Sequence, residues 1–177
     1  MTVILRRNDE DTALEPVSET NPLHVALPDG AVVTSHVYRS ETIEIPGIGA
    51  AVAYASGDAF GTKFSINVPN EGTIATLVFI DRDDEGITKE FILFDAEFSP
   101  TADNSAFTVS DTDMARCIGN IIVDSADFTN FAANQICVAS PALAYKVTNG
   151  RIWCQVVTRG ADNIAAGSSP QFFVVIV

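Results

Sequence analysis

The feature that most constrains the fold is a pair of apolar runs at residues 73–80 and 87–94, separated by a short acidic segment. Both runs are rich in Ile, Val, Phe and Thr, whose branched or aromatic side chains suit the pleated, half-buried surface of a β-sheet. The segment between them, Asp81-Arg-Asp-Asp-Glu-Gly86, carries four carboxylates and ends in glycine. Because burying unpaired charge is costly, the pattern predicts a β-hairpin whose acidic tip is solvated.

Other segments also have the character of strands. Phe64, Ile66 and Val68 alternate with polar residues, which predicts a strand with one buried face. Residues 143–148 and 151–158 flank Asn149-Gly150, and this dipeptide indicates a second hairpin because both turn residues must take positive φ. The last run, residues 172–177, is apolar on both faces, so we expect a strand that is central in its sheet or covered by a partner.

These segments predict an all-β fold with roughly eight to ten strands, an antiparallel β-sandwich. The wide spacing between some runs favours a jelly-roll-like arrangement over a simple meander. One short helix is predicted over residues 110–117, capped by Ser110 or Asp111, whose side-chain oxygens satisfy free amides at a helix start. A chain of 177 residues can bury one sizeable core, and we assign residues 32–177 to a single β-sandwich domain.

Residues 1–31 differ in composition from the rest of the chain. Pro16, Pro22 and Pro28 remove amide donors and prevent a long β-ladder. The segment is therefore either a disordered tail or an extended N-terminal arm that lies on a neighbouring subunit. In the second case its isolated apolar residues are the anchors: Leu23, Val25 and Leu27.

Charge and composition exclude several classes of function. Acidic residues outnumber basic ones 23 to 10 and give a net charge of −13, so the chain repels phosphate backbones and nucleic acid is not an expected partner. Charged residues are only 19% of the chain, below the ~25% typical of soluble domains. That low share indicates either apolar patches for subunit contacts or a large core.

Cysteine usage and hydropathy predict a reduced protein without a membrane segment. Cys117, Cys137 and Cys154 form no CxxC pair, and their odd number argues against a disulfide framework. We expect three buried thiols that behave as small apolar groups. The N-terminus lacks the apolar core of a signal peptide, and no run of ~18 apolar residues exists, so synthesis in a cytoplasm is expected.

Motifs for catalysis or cofactor binding are weak. The segment from Asp81 to Gly86 is spaced like the first half of an EF-hand loop, but Ile92 occupies the position of the closing bidentate Glu, and the flanks are strands. A solvated turn is thus favoured over a looser metal site. His24 and His36 belong to no metal-binding pattern, and no G-x-S-x-G elbow is present. We therefore expect no enzymatic activity, no cofactor and no metal.

Two aromatic residues leave an alternative open. Tyr145 and Trp153 fall on the two arms of the second predicted hairpin, where they would form either a sugar-stacking pair or ordinary packing in the core or an interface.

A series of short segments carries a resemblance to a known class of proteins. In chain order they are Tyr54-Ala-Ser-Gly-Asp58-Ala-Phe-Gly61, Gly72-Thr-Ile-Ala-Thr-Leu-Val-Phe-Ile-Asp81, Phe91-Ile-Leu-Phe94, Ala102-Asp-Asn-Ser-Ala-Phe107, Ser110-Asp-Thr-Asp113 and Gly119. Together with Glu19-Thr-Asn-Pro-Leu23 in the N-terminal arm, this order is similar to accessory virion proteins of tailed bacteriophages. The resemblance covers about residues 54–119 and the arm.

The resemblance implies a capsid decoration (cement) protein, of which several are jelly rolls that trimerise on the outer head surface with arms reaching neighbours. A homotrimer bound to the major capsid protein in the virion is then expected, with neither a nucleic acid nor a membrane as partner. Gly57-Asp58 and Asp103-Asn104 would fix turns. The alternative is a tail- or baseplate-associated host-recognition module that binds glycans. The residues assigned to the capsid-contact arm are Arg6, Arg7, Leu23, Val25 and Leu27.

Overall fold

A computed structural model of the chain describes residues 36–49, 53–165 and 168–177 in full, together with the backbone of four short strands before them. The chain divides into two compact units, Met1–His36 and Val37–Val177. Strands account for 50% and helices for 5% of the residues that the structure describes in full, and the sheets are antiparallel. The predicted all-β sandwich is therefore confirmed.

The strands are numbered in chain order. In the first unit the described segments pair as two antiparallel ribbons: β1 (Leu5–Asn8) with β2 (Asp11–Pro16), and β3 (Val25–Ala26) with β4 (Val32–Val33). The second unit contains β5 (Tyr38–Arg39), β6 (Ile43–Glu44), β7 (Ala53–Tyr54), β8 (Ala59–Asn67), β9 (Glu71–Asp81), β10 (Lys89–Phe94), β11 (Cys117–Val123), β12 (Thr129–Asn130), β13 (Gln135–Ala139), β14 (Leu143–Lys146), β15 (Arg151–Thr158), β16 (Asp162–Asn163) and β17 (Gln171–Ile176).

Two sheets form the body of the second unit. The small sheet has the order β11-β10-β15-β8, and the large sheet has the order β12-β13-β9-β17-β5. In the large sheet β14 also pairs with β9, and β6 also pairs with β17. A separate two-stranded ribbon joins β7 to β16.

The pairing of the long strands is nested. Counted along the chain, the first strand position is made of the two short strands β5 and β6, and both pair with the last strand, β17. The second, β8, pairs with β15, and the third, β9, pairs with β13 and β14. The fourth, β10, pairs with β11. Successive outer pairs therefore enclose the inner ones, as in one long hairpin wound around itself.

The core lies between the two sheets and is rich in aromatic residues. Alternation along β8 buries Phe64 and Ile66 and leaves Asn67 exposed, as the period-two pattern predicts. Phe91 of the small sheet is fully buried, with ring centroids 6.0 Å from Phe79 and 5.0 Å from Phe172 of the large sheet. The contacts between aromatic rings therefore bridge the two layers directly.

The loop of residues 95–110 covers part of the other face of the small sheet. Phe94 and Phe98 stack with centroids 4.1 Å apart in a second apolar cluster. Buried Gln155 fixes this loop: its Oε1 accepts from Thr101 N at 3.0 Å, and its Nε2 donates to Thr101 O at 2.7 Å. One strand residue thus satisfies both backbone groups of a loop residue, which a buried backbone requires.

Both predicted hairpins are wrong in their pairing. β9 belongs to the large sheet and β10 to the small sheet, so residues 82–88 form a corner between layers. The same is true of β14 and β15 around Gly150, whose φ is +62°. The chain turns at both predicted places, although Asn149 does not take the positive φ expected of it, and the strands on either side pair with more distant partners. The only tight hairpin among the described second-unit strands joins β12 to β13.

The short helix is confirmed. It spans α1 (Asp111–Met114), and the Ser110 side chain accepts a hydrogen bond from Asp113 N at 3.1 Å, as a capping residue does. A single 3-10 turn follows at Ser125–Asp127. The last strand, β17, lies between β9 and the β5 and β6 segments, so the first explanation of its apolar sequence, a central position, is correct.

Candidate interaction surface

Large apolar side chains are exposed along one side of the sandwich, where β11 of the small sheet approaches β13 of the large sheet. Ile122 is 53% exposed, Val138 56% and Phe131 60%. An open groove of ≈400 Å³ joins Ile122 to Val138, and a second of ≈530 Å³ is lined by Phe131, Ile136 and Val138. We call Ile122, Phe131, Ile136 and Val138 the edge patch. Because monomeric proteins rarely expose large contiguous apolar patches, the edge patch is the candidate interaction surface.

Phe131 is held outward by its own hairpin. Asn130 Oδ1 accepts from Ala132 N at 2.7 Å, and Phe131 N donates to Asn134 O at 2.8 Å. Asn130 Nδ2 donates to Asp84 Oδ1 at 2.8 Å, which ties the hairpin to the acidic loop. An aromatic side chain on a backbone ordered in this way loses little entropy on binding, as the strongest residues of interfaces do.

The outer face of the large sheet continues the edge patch. Val138 lies opposite Val78 on β9, and Val78 lies opposite Phe173 on β17. A parallel row places Ile136 opposite Ile80. These central side chains are half-buried, and a guanidinium covers one of them: Arg39 Cζ lies 3.8 Å from the centre of the Phe173 ring. Apolar surface therefore extends across three strands.

Acidic groups border the edge patch. Exposed Asp127 lines both grooves, and Asp124 caps the adjacent 3-10 turn, its Oδ1 accepting from Ala126 N at 3.0 Å. A partner for this surface therefore needs apolar groups that fill the grooves and basic groups at their border. Two copies of the patch facing each other would bring like charges together, which disfavours a symmetric contact through it.

The acidic loop is the solvated tip that the sequence predicts only at Arg82 and Glu85, which are exposed. Asp81 is 4% exposed and accepts from Asp83 N at 2.9 Å and Gly86 N at 2.8 Å. Asp83 accepts from Ala165 N at 2.7 Å, and Glu85 accepts from Asn163 N at 3.0 Å. The prediction failed because it considered burial without partners, whereas backbone amides from adjoining loops supply hydrogen bonds to these carboxylates.

Candidate catalytic and ligand residues do not come together. His24 lies outside the described residues, and His36 is exposed and makes no hydrogen bond to another described residue. Among the described residues no group of three His, Cys, Asp or Glu side chains is arranged to hold a metal ion. Within the same residues no helix is long and apolar enough to cross a membrane.

The sugar-stacking pair is not formed. Tyr145 is 5% exposed on β14 in the large sheet, whereas Trp153 is on β15 in the small sheet and packs in the second apolar cluster. Lys63 Nζ lies 5.5 Å from the Trp153 ring centre. The prediction of a stacking pair is wrong because it assumed that β14 and β15 form one hairpin. The alternative of ordinary packing fits both residues.

The structure describes three of the five predicted arm residues. Arg6 and Arg7 fall in β1, and Val25 begins β3. Leu23 and Leu27 lie outside the described residues. The role of these residues in contacting a capsid stays a prediction.

Sequence reasoning missed the edge patch. Its one local signal is Phe131, a large apolar residue isolated in the polar and small-residue segment Thr129-Asn-Phe-Ala-Ala-Asn134. Ile122 and Val138 are adjacent only after the two sheets stack, so no local pattern could reveal them together.

Comparison with known proteins adds no family to this description. No family model matches the chain, and no curated protein or solved structure is significantly similar to it. Fold and surface together define an antiparallel β-sandwich with a rigid, exposed apolar edge.

The three cysteines are free, and only Cys117 is partly exposed. Burial raises the pKa of the Cys137 and Cys154 thiols, which lowers their reactive thiolate fraction. At neutral pH we expect iodoacetamide to label Cys117 at least ~10-fold faster than the other two. Peptide mapping by mass spectrometry measures this, with denatured protein as the control in which all three react. Equal labelling of the three in the native protein would contradict the burial described here.

Proposed function

We propose that this protein is a structural virion component, a capsid decoration (cement) protein that binds the outer head surface and stabilises the capsid lattice. The single observation that carries the proposal is the edge patch, a rigid apolar surface suited to holding a neighbouring molecule. The resemblance of residues 54–119 to accessory proteins of tailed bacteriophages supplies the biological setting. Its partners would be further copies, as a homotrimer, and the major capsid protein.

The strand order supports a jelly roll as the particular kind of sandwich. The nested pairs β5/β6 with β17, β8 with β15, β9 with β13/β14, and β10 with β11 occupy two antiparallel sheets of four positions each. This is the arrangement obtained when one long hairpin of eight strand positions is rolled up. We assign the second unit to the jelly rolls on this basis, in agreement with the fold that the resemblance implies.

The charge pattern is consistent with a heterologous contact. Because the acidic border disfavours patch-to-patch pairing, the patch would contact a different surface of the next molecule, and repetition of such a contact closes a ring if the rotation permits. Modest contacts repeated around a trimer add up when all copies engage one lattice. The net charge of −13 would keep the protein away from the packaged DNA.

The test combines Phe131→Ser with Val138→Ser and measures binding to capsids of the cognate major capsid protein by co-sedimentation. We expect affinity to fall at least ~30-fold, because loss of a central aromatic contact costs about 2 kcal/mol or more. Analytical ultracentrifugation of the same samples measures whether the trimer also weakens.

The matched control is Met114→Ser, which removes another side chain that is 50% exposed but lies on α1. This variant should bind like the natural chain. Capsid binding and self-association that are both unchanged in the Phe131 and Val138 double variant, with an unchanged melting curve, would refute the role of the edge patch.

A further inference from the structure

A lysine and an aspartate meet inside the protein at the end of the sandwich near the acidic loop. Lys89, the first residue of β10, is 2% exposed, and Asp162, in β16, is 1% exposed. Lys89 Nζ lies 2.5 Å from Asp162 Oδ2. The approach does not have the geometry of a hydrogen bond, and neither carboxyl oxygen of Asp162 has a hydrogen-bond donor among the described residues.

The surroundings of this pair are apolar. Lys89 Nζ lies 4.8 Å from the centre of the Phe60 ring, and Phe60 is fully buried. Tyr54, 3% exposed, lies opposite Asp162 in the β7–β16 ribbon, and its ring centroid is 5.1 Å from that of Phe60. Ile87 O accepts from Lys89 Nζ at 3.0 Å and holds the amine in place. A charged pair in such a site lacks the solvation that would stabilise it.

A second carboxyl group adjoins the pair. Glu85 Oε2 accepts from Asn163 N, the residue that follows Asp162, at 3.0 Å. The pKa of Glu85 is raised, first by burial and then by the charges of Asp162 and Asp83, against a lowering by Asn163 N. The site thus contains a buried amine and a buried carboxyl group, with a second, exposed carboxyl group beside them.

We propose that Lys89 and Asp162 join in an intramolecular isopeptide bond, with the neighbouring Glu85 as the group that transfers the proton. This proposal concerns the chemistry of the fold and does not depend on the function proposed above. Lys89 Nζ lies 2.5 Å from Asp162 Oδ2, and Cγ is bonded to that oxygen, so the fold already holds the nucleophile next to the carbon it would attack. The short contact is therefore the arrangement that precedes bond formation.

The reaction balances without a co-reactant. A proton passes from the Lys89 ammonium to the Asp162 carboxylate, which leaves a neutral amine and a neutral acid. Lys89 Nζ attacks Asp162 Cγ, and Glu85 transfers a proton from the attacking nitrogen to the departing hydroxyl. The new N–C bond forms, one C–O bond breaks, and one water leaves. No group is oxidised or reduced.

Formation of the bond would connect β10 with the β7–β16 ribbon. It would close a loop of more than seventy residues, between positions 89 and 162 of the sequence, and so restrict the unfolded chain as a disulfide does. By that analogy we expect loss of the bond to lower Tm by about 10 °C. A cross-link of this kind resists both reduction and denaturant.

The decisive experiment is intact-mass spectrometry of the full chain under denaturing conditions. The natural chain should weigh less than its sequence by one water, and proteolysis should give a branched peptide that joins residues 89 and 162. Lys89→Arg keeps a cation but cannot form this amide, so it should show the full mass and the lower Tm. Glu85→Gln should show full or only slowly decreasing mass.

Two further variants keep the test informative if others fold poorly. Asp162→Asn retains a carbonyl carbon, and attack by Lys89 would release ammonia, so the mass should fall by one ammonia instead of one water. Lys63→Met, which removes a partly exposed lysine paired with Glu97 at 2.7 Å, should leave the loss of water unchanged. Full mass in the natural chain after prolonged incubation at neutral pH would overturn the proposal and leave an ordinary buried ion pair.

Discussion

Gly61→Ala is expected to destabilise the second unit by about 3 kcal/mol or more. Gly61 has φ +76°, where a side chain costs about 1–2 kcal/mol. A Cβ there would also lie 2.5 Å from Pro46 O, a backbone atom. The residue cannot shift to relieve the clash, because Gly61 N donates to Asp103 Oδ1 at 2.7 Å and Gly61 O accepts from Gln155 Nε2 at 3.0 Å.

Gly57→Ala is the matched control for this prediction. Gly57 has φ +97°, but a Cβ there would meet no atom within 4 Å. Only the conformational cost of about 1–2 kcal/mol should appear. Equilibrium unfolding in urea measures both variants. Equal destabilisation of the two would show that the close approach of Pro46 to Gly61 does not exist in solution.

Phe91→Ala is expected to lower the free energy of unfolding by about 3–5 kcal/mol. Phe91 is fully buried and contacts Phe79 and Phe172 across the two layers. Its removal leaves a cavity between the two sheets, at the point where this ring contacts the opposite layer. Chemical denaturation measures the change, and the same experiment in the presence of reductant excludes a contribution from thiol oxidation.

The control is a substitution of the same kind at the surface. Phe131→Ala removes a ring that is 60% exposed. We expect the free energy of unfolding of this variant to change by less than ~0.5 kcal/mol. A loss as large as that of the Phe91 variant would mean that Phe131 packs against the protein and is not available to a partner.

Much of the local structure follows from the sequence. Alternation marks β8, the apolar C-terminal run marks β17, and a Ser followed three residues later by Asp marks the capped helix turn α1. Each of these features depends on residues a few positions apart in the sequence, so a local pattern is enough to predict it. The prediction of free cysteines also holds, since an odd number without CxxC spacing leaves few alternatives. The prediction that all three are buried holds for Cys137 and Cys154 and is wrong for Cys117, which is partly exposed.

The edge patch and the buried pair of Lys89 and Asp162 could not be predicted in this way. Ile122 and Val138 are neighbours only because β11 and β13, edge regions of different sheets, lie side by side. Lys89 and Asp162 are separated in sequence by about half of the second unit, and each looks like an ordinary charged residue in its own segment. Burial decides their chemistry, and burial is a property of the assembled fold.

By itself the amino-acid sequence determined the class of fold, the places where the chain turns and the helix cap, since each depends on propensity and side-chain periodicity over a few residues. Only the tertiary structure decided which strands pair, where the acidic loop finds its hydrogen bonds and which apolar side chains remain exposed. The pairing of β17 with β5, across more than 130 residues between Ile176 and Tyr38, is stabilised by a core shared by the whole unit, so no single segment encodes it.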